Sequence, residues 1–210
     1  MNETEGVAAA EPGGELQRLV ARTRGLQPWR RVFHASSGLA LALAPPVLGL
    51  DRPGVLVVVG LLLGGAVTID LVRLRIPELN RLFFRTLSAL ASPREARRPA
   101  SSTWYLVGVL LTYALFPAWA LAAVLVLGLA DPAASVIGRQ WGRVSVGKGS
   151  VEGAAVFFLV SSLVLAGTVG GVIRPILVAA VVTCVEILPI SLDDNLTIPL
   201  VVAGSLAILA

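Results

Sequence analysis

Apolar residues gather along the chain into runs at 32–50, 53–72, 103–117, 118–137, 151–171, 173–192 and 196–210, separated by polar punctuation. A hydrocarbon core about 30 Å thick takes ~20 apolar residues per helix, and the backbone of such a segment must satisfy its own hydrogen bonds. The pattern therefore predicts an all-α fold, a polytopic transmembrane helical bundle of about seven spans. The third and fourth runs meet near Phe116-Pro117, where a tight turn or a kink is expected. Two further stretches set apolar against basic residues at helical spacing. Leu16, Leu19, Val20 and Thr23 recur against Arg18, Arg22 and Arg24, and Leu79, Leu82, Phe83, Leu87 and Leu90 recur opposite Arg81 and Arg85. Helices of this kind suit the headgroup layer, either as plain anchors or as gatherers of substrate. The expected organisation is a disordered cytoplasmic tail over 1–15, an amphipathic interfacial helix over 16–31, and a transmembrane domain over 32–210 with an interfacial segment near 73–98.

Composition agrees with that pattern. Apolar residues make up 56% of the chain and charged residues 14%, with a mean hydropathy of +0.83, whereas soluble domains carry roughly a quarter charged residues. No length is left for a separate soluble domain, so any chemistry sits within or beside the bundle. The single Cys184 has no partner for an internal disulfide, and the single His34 excludes a multi-histidine metal site. The isoelectric point of about 10.2 would suggest nucleic acid were the basic residues gathered among aromatics, but they follow the membrane pattern instead. Arginines and lysines cluster before the first run, between the second and third, and between the fourth and fifth, while only Arg52 and Arg174 fall in the alternate loops. Positive residues in short loops are retained in the cytoplasm. This arrangement places the N-terminus in the cytoplasm and implies a multi-pass protein of the cell membrane, with a bilayer and no nucleic acid as partner.

The acidic residues are placed unevenly. With this topology Asp70 ends the second span, Asp131 lies in the inner part of the fourth, Glu152 starts the fifth, Glu186 sits low in the sixth, and Asp193 and Asp194 follow it. His34, with Arg30 and Arg31, joins the same layer at the start of the first span. Ionisable groups in membrane helices cost roughly 2.5–3.5 kcal/mol each on insertion scales, so they tend to pair or serve function. Carboxylates at one depth repel unless cations neutralise them. A magnesium–phosphate site would do so, because magnesium takes one or two carboxylates and completes its shell with phosphate oxygens and water, while arginine and lysine hold the remaining oxygens. The plainer alternative is that each acid pairs with a neighbouring arginine, as Asp70 with Arg73.

Three motifs sharpen this reading. In Asp131-Pro132-Ala133-Ala134-Ser135-Val136-Ile137-Gly138-Arg139, the proline is expected to open the preceding turn beside Asp131, and the small residues permit close approach of a backbone or a phosphate. Gly142-Arg143-Val144-Ser145-Val146-Gly147-Lys148-Gly149-Ser150-Val151-Glu152-Gly153 reads as a mobile glycine-rich basic loop running into a helix, whose amides suit phosphate oxygens. It lacks the Ser or Thr and the preceding strand of a nucleotide-binding P-loop. Ser150 is placed to cap the fifth span, with Glu152 supporting the cap or binding metal. Finally, Glu186 leads to Ser191-Leu192-Asp193-Asp194-Asn195-Leu196-Thr197-Ile198-Pro199, where acid and amide oxygens stand at a break between helices, in a composition that also forms plain turns.

In this order the pieces resemble the polyprenol kinase family, which includes dolichol kinase, phytol kinase and CTP-dependent diacylglycerol kinase. The resemblance covers nearly the whole chain after the N-terminal tail. Its strongest parts are the motif from Asp131 to Arg139, Gly147-Lys-Gly-Ser-Val-Glu-Gly153, and Glu186 leading to Asp194-Asn-Leu-Thr-Ile-Pro199. Arg30-Arg-Val-Phe-His34, Asp70-Leu-Val-Arg73 and Glu78-Leu-Asn80 support it. It implies a lipid-alcohol kinase that transfers the terminal phosphoryl group of CTP, with Mg2+ or another divalent cation, to a polyprenol, to phytol or geranylgeraniol, or to diacylglycerol, at the cytoplasmic side. Carried onto this chain, it implies catalytic roles for Asp131 and Glu152 and metal ligation by Asp131, Glu152 and Asp194. Gly138, Arg139, Gly147, Lys148, Ser150 and Asn195 would bind nucleotide and phosphate, with Arg31, His34, Asp70, Arg73 and Glu186 in support. One departure stands out: Gly149 separates Lys148 from Ser150, where the family often sets lysine directly before its Ser-x-Glu-Gly stretch. Two other readings compete, a CTP-dependent cytidylyltransferase acting on a lipid phosphate and an ion-coupled transporter using Asp70 and Glu186. The alcohol, the base and the oligomeric state stay open at this level.

Overall fold

The computed structural model of the chain describes residues 12–25 and 27–210. Most of the tail expected over 1–15 lies outside the described residues, but Pro12 already begins a helix, α1 (Pro12–Arg22). The single helix expected over 16–31 is divided, because Gly25 adopts a left-handed φ of 97° and Pro28 opens the next helix, α2 (Pro28–Val47). After it come α3 (Arg52–Arg75), α4 (Pro77–Thr86), a short 3-10 turn at Pro93–Ala96, α5 (Ser101–Leu115) and α6 (Ala120–Trp141). A two-stranded hairpin, β1 (Ser145–Val146) and β2 (Gly149–Ser150), precedes α7 (Val151–Val169), α8 (Ile173–Ile187) and α9 (Asp194–Ile208). Each apolar run of the sequence thus forms one helix, and the fold is all-α apart from that hairpin. Among the described residues α3, α6 and α7 are long and apolar enough to cross a membrane, by length and composition.

Helix α6 is the axis of the bundle. It packs against α2, α5, α7 and α9, and Ala123, Val124, Val126, Leu127 and Ala130 are fully buried along it. Small residues let its neighbours approach. Gly38 of α2 faces Gly128 of α6 so closely that a Cβ on Gly38 would stand 2.6 Å from the Gly128 Cα. By contrast α3 turns Val57, Leu61, Leu62 and Ile69 outward, and a Cβ added at its Gly60 or Gly64 would meet nothing within 4 Å among the described residues. The turn expected near Pro117 is present between α5 and α6. Pro132, expected to open α6, lies inside a continuous helix instead.

The two amphipathic helices do not both lay their apolar faces outward. Leu19 of α1 and Phe84 of α4 bury each other with Ala91, flanked by Leu16, Val20 and Phe83, and Glu15 accepts a 2.6 Å hydrogen bond from Arg85. Below them a buried ion pair fixes the segment that joins α4 to α5. Arg73 Nη2 lies 2.6 Å from Asp70 Oδ1, and the other Asp70 oxygen accepts from the Ala100 amide at 2.8 Å and the Thr103 hydroxyl at 2.6 Å. Arg73 also donates to Asn80 Oδ1 and to the carbonyls of Glu95 and Arg98, and its guanidinium lies over the Phe83 ring at 4.3 Å. The plainer alternative for Asp70 is what the structure contains, extended into a network that satisfies both partners. Removing one partner strands the other's charge. Asp70→Ala should therefore lower the free energy of unfolding by about 3–5 kcal/mol, read from a denaturation midpoint in detergent micelles, with Arg73→Ala showing a loss of similar size.

Candidate functional site

Where α2, α5 and α9 begin and α6 ends, together with the 92–99 segment, they enclose a polar cavity of about 840 Å3. Arg30, Arg31 and His34 line it from α2, Asp131, Ser135 and Arg139 from α6, and Asp194 and Asn195 from α9. Lys148 reaches it from the hairpin, and Arg94, Glu95 and Arg98 from the segment clasped by Arg73. Arg24 adds a further cation, so basic side chains outnumber the carboxylates Glu95, Asp131, Asp193 and Asp194 on its wall.

Helical spacing explains why α6 supplies three of these groups. Asp131, Ser135 and Arg139 follow one another at four-residue steps and share one face. Ser135 accepts a 2.9 Å hydrogen bond from Arg31 Nη2, whose Nη1 donates to the Gln27 carbonyl at 3.1 Å. The Nε of Arg31 is buried with no hydrogen-bond partner among the described residues. Burial and the neighbouring Arg139 and Arg30 guanidiniums lower the Arg31 pKa, and Asp131 partly opposes them. These conditions favour an anion between the arginines. Arg139 donates to the Gly25 carbonyl at 3.1 Å, which ties the end of α1 over the cavity. His34 stacks edge-on with Tyr105, and its Nε2 lies 3.8 Å from Asp131 Oδ2 and 3.3 Å from the Leu127 carbonyl.

The start of α9 supplies the facing acids. Asp193 caps the helix by accepting from the Asn195 amide at 3.1 Å and from Asn195 Nδ2 at 2.7 Å, so its charge is used locally. Asp194 points elsewhere and pairs with Lys148 Nζ. Burial pushes the Asp194 carboxyl above its ordinary range, Lys148 pulls it back, and Asp131 and Asp193 add to the push. The Asp131 charge therefore reaches Asp194 across the cavity. Two carboxylates on the wall of one cavity would suit magnesium, which keeps several non-protein oxygens in its shell. Among the described residues no three His, Cys, Asp or Glu side chains group as a metal cage.

The glycine-rich segment is not the mobile loop expected. It folds as a tight hairpin in which Ser145 pairs with Ser150 and Val146 with Gly149. Gly147, first of the two turn residues, takes φ 52°, as the favoured two-residue hairpin turn with glycine first requires. The Lys148 amide donates to the Ile187 carbonyl at 3.1 Å, and a Cβ on Gly147 would collide with that same carbonyl. The tip is thus docked on the end of α8, presenting the Lys148 side chain to the cavity. Of the phosphate-binding residues expected here, Lys148 lines the cavity, while Gly147 and Ser150 do not. Ser150 caps α7, accepting from the Gly153 amide at 3.1 Å, and Gly138 packs under Ser150 and Gly153.

Glu152 also departs from expectation. It stands on the first turn of α7, outside the residues that line the cavity. Its Oε2 is buried without a hydrogen-bond partner among the described residues. Of the expected metal set, Asp131 and Asp194 line the cavity and Glu152 does not. Asp70 and Arg73 buttress the wall from behind, and Glu186 is half-buried on α8 outside the lining. Sequence reasoning missed Glu95. It is 4% exposed, accepts from the Ser101 amide at 3.2 Å and hydroxyl at 2.9 Å, and lies 3.8 Å from Arg30. No local signal marks it, since its neighbours read as an interfacial basic stretch.

Comparison with known proteins points the same way as the motifs. The chain is 30% identical over 117 residues to CTP-dependent diacylglycerol kinase 1 of Saccharomyces cerevisiae, an alignment covering 55% of this chain and 40% of that protein. It is 31% identical over 138 residues to the protein of that name in Eremothecium gossypii, covering 62% and 42%. For the one in Schizosaccharomyces pombe it is 30% over 115 residues, covering 54% and 52%. The chain thus spans about half the length of these curated relatives or less, and is similar to CTP-dependent lipid kinases over that stretch. No family model matches the chain, and no solved structure does.

The charge on the cavity can be measured without a substrate. Inorganic triphosphate should raise the thermal midpoint of the purified protein, as any ligand of the folded state does. Arg31→Gln combined with Lys148→Gln should abolish most of that rise while leaving the ligand-free midpoint near the parent's.

Proposed function

We propose that this chain is a lipid-alcohol kinase that transfers the terminal phosphoryl group of CTP to a membrane-embedded alcohol such as diacylglycerol or a polyprenol. The observation that carries the proposal is the cavity in which arginines and Lys148 surround Asp131 and Asp194 at one end of an apolar bundle. Its similarity to CTP-dependent diacylglycerol kinases supplies the donor and the acceptor class. In this reading about seven helices span the bilayer, and the cationic end faces the cytoplasm, where the nucleotide is found.

Phosphoryl transfer needs alignment and charge stabilisation more than covalent participation by the protein. Arg30, Arg31, Arg139 and Lys148 hold phosphate oxygens, and the unpartnered Nε of Arg31 is one free donor for them. The acceptor oxygen attacks the terminal phosphorus of CTP. Its bond to that phosphorus forms as the bond to the bridging oxygen breaks, CDP leaves with the electron pair, and the hydroxyl proton passes to a carboxylate. Asp131 is that base, since it lines the cavity and Glu152 does not. His34 and Ser135 flank it and hold its surroundings polar. Asp131 and Asp194 would hold a divalent cation, which when bound offsets the charge of the nucleotide phosphates.

The purified protein, given magnesium, labelled CTP and a panel of diacylglycerol, phytol, geranylgeraniol and longer polyprenols, should yield CDP and a lipid phosphate. Release of pyrophosphate with a CDP-lipid would establish a cytidylyltransferase instead, and substrate movement across sealed vesicles without chemical change would establish a transporter. Asp131→Asn and Asp194→Asn should each lower transfer by at least ~100-fold with insertion and thermal midpoint retained. Full activity in both variants would remove the site.

A further inference from the structure

A second hollow adjoins the polar cavity. It is an apolar groove of about 570 Å3 on the outer side of the bundle, formed by α2, α6 and α7, and its lining shares Arg31 and Pro132 with the cavity. We propose that this groove seats the head-proximal part of the lipid alcohol's hydrocarbon chain and delivers its hydroxyl across the Arg31–Pro132 seam to Asp131. The inference rests on the lipid-alcohol kinase reading and names the subsite that reading leaves unassigned.

Helix α6 is built with two faces one residue step apart. Leu129, Pro132, Ala133, Val136 and Ile137 follow the i, i+3, i+4, i+7, i+8 pattern of one helical face and line the groove. Asp131, Ser135 and Arg139 form the adjoining face and line the cavity. On α2 the division recurs, with Arg30 and His34 lining the cavity, Val32 and Ala35 lining the groove, and Arg31 belonging to both. Ala35 and Ala133 leave the space that larger side chains would fill. Except for Arg31 the lining carries no ionisable group, so the groove holds hydrocarbon and the seam holds the polar end.

The groove's extent sets what it can recognise. From Leu129 to Ile137 the lining runs about 12 Å along α6 at 1.5 Å per residue, less than half of a hydrocarbon core about 30 Å thick. The remainder of a long chain stays in the bilayer. Selection is therefore expected for the shape of the chain near the hydroxyl, such as branching or unsaturation, and little for total length.

The test fills the groove and follows lipid contact separately from catalysis. Full-length protein in nanodiscs is irradiated with diacylglycerol, and separately with geranylgeraniol, each carrying a diazirine close to the hydroxyl end of a chain. Labelled peptides should map to 32–35 and 129–137, and Ala133→Trp, or Ala35→Trp should the first fail to fold, should remove that labelling. In the transfer assay the same variant should lose at least about tenfold in kcat/KM for the long-chain acceptor while a short-chain, water-soluble acceptor changes by no more than about twofold. Leu61→Trp on the outer face of α3 serves as the control and should alter neither. Labelling spread over α3 and α8 and unchanged in Ala133→Trp would overturn the proposal. If the parent phosphorylates no alcohol, the kinase reading fails while the photolabelling still decides whether lipid occupies the groove.

Discussion

The structure depends on a charge imbalance held at one end of an apolar bundle. Several guanidinium groups converge on one partly enclosed cavity whose carboxylates are too few to neutralise them, and removing charges from water without compensation is costly. Asp193 spends its charge on capping α9, and Glu95 binds the start of α5. What remains is a site with unfilled demand for oxygen anions, walled by helices whose other faces favour lipid. In the kinase reading proposed above, a nucleoside triphosphate would meet that demand, beside a bundle that keeps its partner alcohol in the membrane plane.

The layout of the bundle was legible because its code is simple. Length and hydropathy place each apolar helix within a few residues, whereas the single helix expected over 16–31 runs through Pro28, where α2 begins. The cavity was legible in part. Asp131, Asp194, Arg139, Lys148, Arg31 and His34 all reach it, since the acids and cations cluster at span ends where function tolerates their insertion cost. The residues misread were those whose roles depend on three-dimensional neighbours. Glu152 sits in the first turn of a helix, where a residue that lines the cavity and one that does not look alike in sequence. The glycines around Lys148 suit a flexible phosphate cradle and a tight hairpin equally well, and only the carbonyl of Ile187, nearly forty residues away in sequence, decides between them. Glu95 escaped notice because its partners Arg30 and Ser101 come from different elements.

The same logic separates two kinds of ionic contact in this protein. Asp70 with Arg73 is buried and saturated with hydrogen bonds, so it fixes architecture. Lys148 with Asp194 is partly exposed on a cavity wall, and in the proposed reaction each would exchange the other for a phosphate or a cation. Burial and completeness of bonding distinguish a strut from a resting contact more clearly than charge type does.

The manner in which Arg73 grips the neighbouring wall has a consequence for how such proteins diversify. Two of its bonds, and one from Asn80, end on main-chain carbonyls of residues 95, 96 and 98, which every amino acid provides. The anchoring of this wall is therefore largely indifferent to which side chains it displays at Arg94 and Arg98. Those positions can change without loss of the main-chain bonds that hold the scaffold beneath them.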